Sequence, residues 1–318
     1  MTEPIIDVAG LSKSFTVMRK AGRVRRRREQ VVAVAGIDLH IERGAMVGYI
    51  GPNGAGKSTT IKMLTGILVP TAGRVRVDGL EPSRARTELA KRIGVVFGQR
   101  SQLWWDLPLR DSFDLLRHVY RVPAERHAAN LQRYADGLDL GPLLDVPVRQ
   151  LSLGQRMRGE LTAALLHDPA ILLLDEPTIG LDVISKEAVR KFLVAINRDQ
   201  GTTVLLTTHD LTDVERLCER LLIIDHGILI EDGTVAGITS RYGTERTLVV
   251  DLAEPGEPLR IAGAAVTRVE GPRQWLRFRR DEVSASELLT RVTAQVEVRD
   301  LSVEEPDIES IVREIYSR

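Results

Sequence analysis

Short apolar runs alternate with longer stretches of mixed polarity along most of the chain. The runs Ala45–Ile50, Ile171–Leu174 and Thr203–Thr207 have the length and composition of β-strands. Residues from about 103 to 165 lack long β-branched runs and are interrupted by prolines, which favours helices. Strand-like and helix-like segments alternate again over residues 166–232. The pattern therefore predicts an α/β domain with a parallel sheet and a helical subdomain at about 103–165.

The last part of the chain has a different pattern. Short strand-like and helix-like segments follow one another there, namely Thr247–Leu252, Trp275–Phe278, Ser284–Ala294, Val296–Val298 and Pro306–Tyr316. These segments predict a small C-terminal α+β accessory domain over residues 238–318, after a first domain over residues 1–237. This tail contains no catalytic constellation, so regulation, support of a dimer and docking of a partner are all open roles.

A complete phosphate-binding motif follows the run Ala45–Ile50. The pattern G-x-x-x-x-G-K-[ST] matches residues 51–58, and the residues predicted to bind nucleotide are Gly51, Pro52, Asn53, Gly54, Ala55, Gly56, Lys57, Ser58 and Thr59. Glycines let the backbone curl so that its N–H groups point at a β-phosphate, and the following helix start adds partial positive charge. We expect Lys57 to reach the β- and γ-phosphates and Ser58 to bind Mg²⁺. The alternative is a Gly-rich turn that happens to precede Lys-Ser.

Two carboxylates end the apolar run Ile171–Leu174. Open α/β sheets bind their ligands at the carboxyl ends of such buried strands. We therefore expect Asp175 to hold Mg²⁺ through water and Glu176 to act as general base on the attacking water. The alternative is a strand that ends in a solvated turn at Pro177. The phosphate-binding motif at residues 51–58 favours the functional interpretation.

A second motif, Leu151–Gln155, has the sequence Leu-Ser-Leu-Gly-Gln. With the motif at residues 51–58, it makes the chain resemble the nucleotide-binding subunits of ABC transporters, whose motifs occur in the same order over residues 5 to about 237. The resemblance implies the P-loop NTPase fold of an ABC cassette, with a RecA-like core sheet, an antiparallel β subdomain and a helical subdomain. It also implies that ATP lies between two subunits, where the phosphate cradle of one meets the signature motif of the other.

The resemblance implies roles for further residues. Phe15 matches the aromatic residue that stacks on adenine, and Gln99 matches the glutamine that links the γ-phosphate site to the membrane partner. His209 matches the switch histidine. The implied catalytic set is thus Glu176, His209 and Gln99, and the implied Mg²⁺ ligands are Ser58, Gln99 and Asp175. The implied signature and dimer-loop residues are Ser152, Leu153, Gly154, Gln155 and Asp182.

Several of these assignments have competing interpretations. Leu153 replaces the first glycine usual in the signature, and we expect it to tune turnover rather than to destroy the site. Nearby Gln102 is the alternative to Gln99. In the competing interpretation, Phe15 is a core aromatic residue and His209 simply lies at the end of a strand.

Two stretches, residues 97–107 and 153–158, are similar to a poorly characterised bacterial branch of the family. That similarity implies a partner of exporter-type permeases. Trp104 and Trp105 follow the glutamine region directly. They belong either to the core of the helical subdomain or to a groove for a helix of the permease.

Composition limits the roles of the chain. At 318 residues there is room for about two domains, and 43% hydrophobic residues allow a substantial core. No apolar run approaches the roughly 18 residues that span a bilayer, so transport would require a separate membrane subunit. The absence of a secretion signal and the single cysteine, Cys218, suit a cytoplasmic protein at the inner face of the membrane. A formal net charge of zero argues against a general nucleic-acid binder.

The charge is unevenly distributed along the chain. A basic run occupies residues 18–28, between the strand that holds Phe15 and the next strand-like segment, Val31–Val34. This run is either a solvated loop or a segment attracted to anionic lipid headgroups, at about 1 kcal/mol per cation near the surface.

Together these observations predict an ATP-hydrolysing subunit that uses ATP and Mg²⁺. We expect it to dimerise with itself or with a related ATPase and to drive a separate membrane permease in export. One alternative is a soluble ABC ATPase that acts on ribosomes or DNA, although such proteins usually join two cassettes. A P-loop kinase outside the family is disfavoured by the motif Leu151–Gln155. The substrate is chosen by the membrane subunit and cannot be inferred from this chain.

Overall fold

The computed structural model describes residues 3–21, 25–98 and 100–317 of the protein. The chain divides into two compact units, Met1–Gly233 and Thr234–Arg318. The first unit thus ends slightly before residue 237, where the sequence analysis placed the domain boundary. Among the described residues, the first unit contains a six-stranded and a three-stranded sheet, and the second contains a four-stranded sheet.

Helices and strands alternate through the first unit. In chain order they are β1 (Ile6–Ala21), β2 (Arg25–Ile41), β3 (Met46–Ile50), α1 (Lys57–Leu64), β4 (Ala72–Val77), α2 (Arg86–Ala90), β5 (Ile93–Phe97), α3 (Leu109–Tyr120), α4 (Ala124–Gly137), α5 (Leu153–Leu165), β6 (Ile171–Asp175), α6 (Val183–Gln200), β7 (Thr203–Thr207), α7 (Leu211–Leu217), β8 (Arg220–Asp225) and β9 (Ile228–Thr234). In the part of the chain that the structure describes, no helix has the length and apolar character needed to cross a bilayer.

A six-stranded sheet forms the centre of the first unit, with the strand order β5-β6-β7-β3-β8-β9. Neighbouring strands from β5 to β8 run parallel to one another. The residues of β3, β6 and β7 are almost all buried, which explains their unbroken apolar sequences. The register places Phe97, Asp175 and Thr207 side by side at the carboxyl ends of β5, β6 and β7. The predicted α/β class is confirmed.

Helices α3, α4 and α5 occupy the predicted helical region, together with short 3-10 turns at Gly141–Leu143 and Val148–Gln150. Helix α5 packs directly on β5 at Gly94. A Cβ atom at Gly94 would lie only 2.3 Å from the carbonyl oxygen of Ala164, so this close packing requires glycine. The glycine therefore lets the helix that begins at the signature motif lie against the strand that leads to residue 99.

Strands β1 and β2 form a long antiparallel hairpin whose register continues to the pair Ala21 and Arg25. Strand β4 pairs with β1 only as far as Ser12, so the distal part of the hairpin has two strands alone. The basic run 18–28 lies in this distal part, and its residues 22–24 fall outside the described residues. The interpretation of the run as a loop is wrong for the remaining residues, because they continue the cross-strand pairing of β1 and β2.

The second unit contains α8 (Val235–Tyr242), β10 (Glu245–Leu252), β11 (Ala264–Glu270), β12 (Arg273–Arg279), α9 (Ala285–Thr293), β13 (Val298–Glu304) and α10 (Ile308–Tyr316). Its antiparallel sheet has the order β11-β12-β10-β13. Leu248, Leu276 and Leu288 join the sheet and α9 in one apolar core. Strand β11 was not predicted from the sequence, because its residues are mostly exposed and form no long apolar run.

Candidate nucleotide-binding site

The phosphate-binding motif forms a tight loop between β3 and α1. A Cβ atom at Gly51 would lie 2.3 Å from the carbonyl oxygen of Ile224. One at Gly56 would lie 2.5 Å from the carbonyl oxygen of Ala33, and Gly56 has a φ of 111°, which favours glycine. Gly56 is the N-cap of α1, and no side chain caps this helix start. The N–H groups of the first turn are therefore available to a ligand such as phosphate.

Lys57 is the first residue of α1 and is only 7% exposed. Its Nζ atom donates hydrogen bonds to the carbonyl oxygens of Gly51 at 2.5 Å and Pro52 at 3.2 Å. Burial lowers the pKa of Lys57, whereas the charges of Glu176 and Asp175 act in the opposite direction. The ammonium group thus lies within the loop, where phosphate oxygens would offer it acceptors of opposite charge.

Asp175 lies at the carboxyl end of β6, at the edge of the sheet that the sequence predicts. Its Oδ1 atom accepts hydrogen bonds from Ser58 Oγ at 3.2 Å and from Thr207 Oγ1 at 2.7 Å. Three oxygen atoms therefore converge, and oxygen is the ligand atom that Mg²⁺ prefers. Thr207 was not predicted from the sequence as a site residue. Its only signal was its place at the end of a strand parallel to β6.

Glu176 has a φ of 57°, in the left-handed region that is strained for residues other than glycine. Its N–H donates to the carbonyl oxygen of Thr207 at 3.0 Å and to the hydroxyl of Thr207 at 3.2 Å, which anchors this backbone. Its Oε1 atom lies 3.6 Å from Nδ1 of His209, and the two side chains are 25% and 59% exposed. The backbone of Glu176 is thus fixed, and its carboxylate has access to water, as a general base requires.

An open cleft of about 840 Å³ joins these groups. Residues from the loop, from α1 and from the ends of β5, β6 and β7 line it, namely Asn53, Ser58, Lys62, Ile67, Phe97, Gly98, Arg100, Asp175, Glu176, Ile179 and His209. Gly54 and Ala55 lie in the same loop, and Thr59 lies in the first turn of α1. Gln99 falls outside the described residues, so its predicted role stays a prediction.

The alternative glutamine, Gln102, is tied to the signature helix. Its backbone N–H donates to Glu160 Oε2 at 3.1 Å, and its Nε2 donates to the carbonyl oxygen of Glu160 at 3.1 Å. The hydroxyl of Ser101 donates to the same carboxylate. Glu160 is 5% exposed, and burial raises the pKa of this carboxyl group. The contact joins the segment after residue 99 to α5, a link that the sequence analysis missed.

The signature residues lie at the start of α5. Ser152 Oγ accepts a hydrogen bond from the N–H of Gln155 at 3.2 Å, and Gln155 Oε1 accepts one from the N–H of Ser152 at 2.8 Å. The two residues thus form a capping box. Leu153 is 38% exposed. Among the described residues that line the cleft, none belongs to the signature motif.

The loop predicted to cross a dimer interface lies directly beside the signature. Asp182 caps α6 by accepting hydrogen bonds from the N–H of Ser185 at 2.9 Å and from its hydroxyl at 2.7 Å. A Cβ atom at Gly154 would lie 2.4 Å from Ser185 Oγ, so only glycine permits this approach. The next residues, Val183 and Ile184, are 81% and 84% exposed. This surface therefore combines two helix starts with an exposed apolar pair.

A buried ion pair behind the cleft was also missed from the sequence. Asp213, in α7, is fully buried and accepts hydrogen bonds from Arg190 Nε at 2.6 Å and Thr178 Oγ1 at 2.5 Å. Thr208 Oγ1 donates to the same carboxylate at 3.3 Å. Because Thr178 follows Glu176 closely and Thr208 precedes His209, one carboxylate fixes both loops against α6.

Phe15 lies in β1, half-buried and opposite Val31 of β2. The Nζ atom of Lys13 lies 5.2 Å from the centroid of the Phe15 ring, an arrangement typical of a cation–π contact. Phe15 is not one of the described residues that line the cleft. Its stacking on adenine therefore stays a prediction.

Trp104 and Trp105 are 41% and 52% exposed, so the core interpretation does not suit them. The guanidinium carbon of Arg156 lies 5.6 Å from the centroid of the Trp105 ring. A smaller pocket of about 180 Å³ lies beside Trp105 and also includes Gly98 and Glu160 in its lining. An aromatic surface thus lies next to the glutamine segment.

The fold and the cleft together define a class of protein. A buried lysine lies in a glycine-rich loop before an uncapped helix, and two carboxylates follow a neighbouring parallel strand. This arrangement is that of the P-loop nucleotide hydrolases.

Comparison with known proteins narrows this class. Residues 34–179 match the family model described as ABC transporter. The chain is 32% identical to the ABC transporter ATP-binding protein NatA of Bacillus subtilis (strain 168) over 225 residues, which cover 71% of this chain and 90% of NatA. It is 32% identical to the Nod factor export ATP-binding protein I of Rhizobium sp. (strain N33) over 274 residues, 85% of this chain and 84% of that protein.

A solved dimeric ATP-binding cassette, bound to ADP and Pi in a post-hydrolysis state, matches with a TM-score of 0.62 and 26% identity over 72% of this chain and 98% of that chain. Some relatives are much longer: ABC transporter A family member 1 of Dictyostelium discoideum is 33% identical over 240 residues, 76% of this chain but only 26% of that protein. The protein belongs to the ABC transporter family as an ATP-binding cassette, and it is an ATP hydrolase. The predicted family and fold are confirmed.

Proposed function

We propose that the chain hydrolyses ATP with Mg²⁺ as a dimer in which each ATP lies between two subunits. The separation of the two half-sites supports this proposal, because Ser58, Asp175 and Glu176 line the cleft whereas the signature residues do not. The exposed pair Val183 and Ile184 offers the apolar surface that a second subunit needs. The solved cassette that matches this chain is also dimeric.

Each half-site has a distinct task in this proposal. Lys57 and the free N–H groups of α1 bind the phosphates of ATP. Ser58 and Asp175 would hold Mg²⁺, which supplies charge neutralisation at the phosphate oxygens when it is bound. Glu176 takes a proton from the attacking water. The Nδ1 atom of His209 lies 3.6 Å from Oε1 of Glu176 and positions this carboxylate. Gln99 completes this set as a predicted residue outside the described part of the chain.

The signature serine contributes to the site of the other subunit. Its Oγ already accepts a hydrogen bond from the N–H of Gln155. A hydroxyl group can still donate its own hydrogen, so the partner subunit's Ser152 donates to the γ-phosphate without losing its role as a helix cap. Asp182 lies beside it and orders the same surface.

The dimer proposal has a direct test. Val183→Asp with Ile184→Asp should leave ATP binding by the isolated chain unchanged but prevent ATP-dependent dimerisation, measured by light scattering in the Glu176→Gln background. Val194→Asp is the matched control, because Val194 is 40% exposed on the same helix. ATP-dependent dimers that survive the double substitution would contradict the proposal.

We further propose that the chain lies at the cytoplasmic face of the membrane and drives a separate permease that exports its substrate. The exposed Trp104 and Trp105 beside the glutamine segment supply a surface for that permease. The contact of Ser101 and Gln102 with Glu160 connects this surface to the signature helix. The relative from Rhizobium sp., which matches 85% of this chain, is an export ATP-binding protein.

Cross-linking tests the permease surface. Cys218 is buried, and burial raises the pKa of its thiol to about 12, so Cys218→Ala gives a background without reactive thiols. Trp105→Cys in this background should cross-link to a polytopic membrane protein in cell membranes. Arg198→Cys, at a side chain 73% exposed, is the control that should not. Cross-links to ribosomal proteins or to no membrane protein would contradict the proposal.

The direction of transport is tested with the captured permease. The complex is reconstituted in vesicles with the ATPase on the outside. If it is an exporter, substrate should accumulate in the lumen only when ATP is added. The complex with Glu176→Gln should not accumulate substrate. Release of preloaded substrate on addition of ATP would show import instead.

A further inference from the structure

The distal part of the β1–β2 hairpin carries an unusual density of positive charge. Residues 14–32 contain seven of the 44 Lys and Arg residues of the protein but one of its 44 Asp and Glu residues. The chain as a whole has no formal net charge, so this excess is local. Such a segment attracts a polyanion through its charge alone.

The register of β1 and β2 places basic residues opposite one another, which destabilises the hairpin. The cross-strand partners include Arg19 with Arg27 and Lys20 with Arg26. Like charges directly opposite one another destabilise an antiparallel pair. Strand β4 leaves β1 after Ser12, so within the described part of the chain this ribbon has no third strand to stabilise it. A binding partner of negative charge would remove the repulsion.

Apolar side chains are exposed on the same ribbon. Met18 is 54% exposed and lies opposite the exposed Arg28, and Val32, which is 55% exposed, lies on the same face of the ribbon. Val31, which is 37% exposed, lies on the other face with the exposed Arg27. Apolar groups gain nothing from a phosphodiester backbone in water. They gain when they enter the boundary between lipid headgroups and acyl chains, where cations pair with the headgroups. The mixture therefore favours a membrane surface over nucleic acid.

We propose that the distal β1–β2 ribbon, residues 14–21 and 25–32, binds the anionic headgroups of a membrane. This contact is separate from the permease surface at Trp104 and Trp105. It does not depend on the proposed permease, because it requires lipid alone.

Vesicle sedimentation with the full chain tests the proposal. At low salt the wild-type protein should sediment with vesicles of phosphatidylcholine and phosphatidylserine but not with phosphatidylcholine alone. Replacing Arg25, Arg26, Arg27 and Arg28 with Ser should lower the partition coefficient by about a hundredfold or more, since each cation contributes separately. The wild-type value should fall steeply as salt rises to about 0.15 M. Met18→Ser should reduce the binding that survives at that higher salt.

Two matched variants make the test specific. Replacing the same four arginines with Lys keeps the charge and should keep the partition coefficient within about threefold of wild type, because the headgroup attraction depends on charge. Replacing Arg84, Arg198, Arg299 and Arg313 with Ser removes four exposed arginines elsewhere and should have little effect. Thermal unfolding and basal ATP hydrolysis, which should match wild type, show that each variant folds.

Three outcomes would overturn the proposal. The first is a wild-type protein that binds neither kind of vesicle at low salt. The second is an equal loss of binding in the ribbon Ser variant and in the remote control variant. The third is binding of the wild-type protein to duplex DNA or RNA at about 0.15 M salt without binding to vesicles, which would assign the ribbon to nucleic acid.

Discussion

Helices α1 and α5 both begin at a motif predicted to face ATP, but the two helix starts differ. Helix α1 follows Gly56 and has no side-chain cap. Helix α5 follows Ser152, which forms a closed capping box with Gln155. The first start leaves its backbone donors free, and Lys57 adds a charge. The second has two of its donors satisfied within the chain, namely the N–H groups of Ser152 and Gln155. The first helix start is therefore suited to hold phosphate by itself, whereas we propose that the second adds a contact to a nucleotide held by the other subunit.

The largest effect should come from the half-site that holds phosphate. Glu176→Gln keeps the shape of the side chain but removes the base, so hydrolysis should fall by about 10²–10⁴-fold. ATP affinity should stay unchanged, and ATP-bound dimers should accumulate. Phosphate release and equilibrium titration measure the two quantities. If the variant hydrolyses ATP at the wild-type rate, another residue is the general base, and His209 is the next candidate.

Removal of the charge in the loop should weaken binding itself. Lys57→Ala should lower ATP affinity by about 10–100-fold, the loss expected for hydrogen bonds to a charged group. Lys62→Ala is the control, because Lys62 lines the cleft but does not lie in the loop. If both variants bind ATP like the wild type, the loop is not the phosphate site.

The capped helix start should respond differently from the uncapped one. Ser152→Asp keeps a good N-cap, so thermal stability should stay near wild type. Its carboxylate repels a γ-phosphate, and hydrolysis should fall by at least about tenfold while the isolated chain still binds ATP. Ser152→Ala should reduce hydrolysis too, and because it removes the cap it should also lower the free energy of unfolding by about 1 kcal/mol. If the Ser152→Asp variant hydrolyses ATP at the full wild-type rate, the signature motif is not part of the ATP site.

A mixture of Ser152→Asp and Lys57→Ala chains sharpens this comparison. Mixed dimers contain one intact composite site and one doubly altered site. Phosphate release should exceed that of either variant alone without reaching the wild-type level. If the mixture releases no more phosphate than the two variants measured separately, the site is not shared between subunits.

The smallest effect should arise where the signature packs on α6. Alanine normally favours a helix over glycine, but a Cβ atom at Gly154 would lie 2.4 Å from Ser185 Oγ. Gly154→Ala should therefore lower the free energy of unfolding by about 1–3 kcal/mol, and adding Ser185→Ala should restore part of it. Gly141→Ala is the control, since a Cβ atom there meets nothing within 4 Å. Denaturant unfolding measures all three.

Much of the cleft could be predicted because its key residues are close together in sequence. The loop from Gly51 to Ser58 and the pair Asp175 and Glu176 are each local patterns with one chemical use. Thr207, Glu160 and Asp213 could not be predicted in the same way. Each acts through a partner far away in the chain, such as Thr207 with Asp175. An isolated threonine or carboxylate in a sequence carries no sign of that partner.

The strands outside the parallel sheet show the same limit. The buried parallel strands were evident, since each must be apolar on both faces. The basic run 18–28 was not recognised as strand, because polar and charged residues can pair in a ladder without any apolar pattern. Strand β11 escaped prediction for the same reason.

The sequence alone determined the family, the phosphate loop and the carboxylates that follow β6, because these depend on residue type at fixed local spacing. Only the tertiary structure decided that Glu160 links Gln102 to α5, that Thr207 joins Asp175 at the cleft, and that like charges oppose one another across the β1–β2 ribbon. These features arise from contacts between distant segments. Such contacts are set by packing and register, which no local pattern encodes.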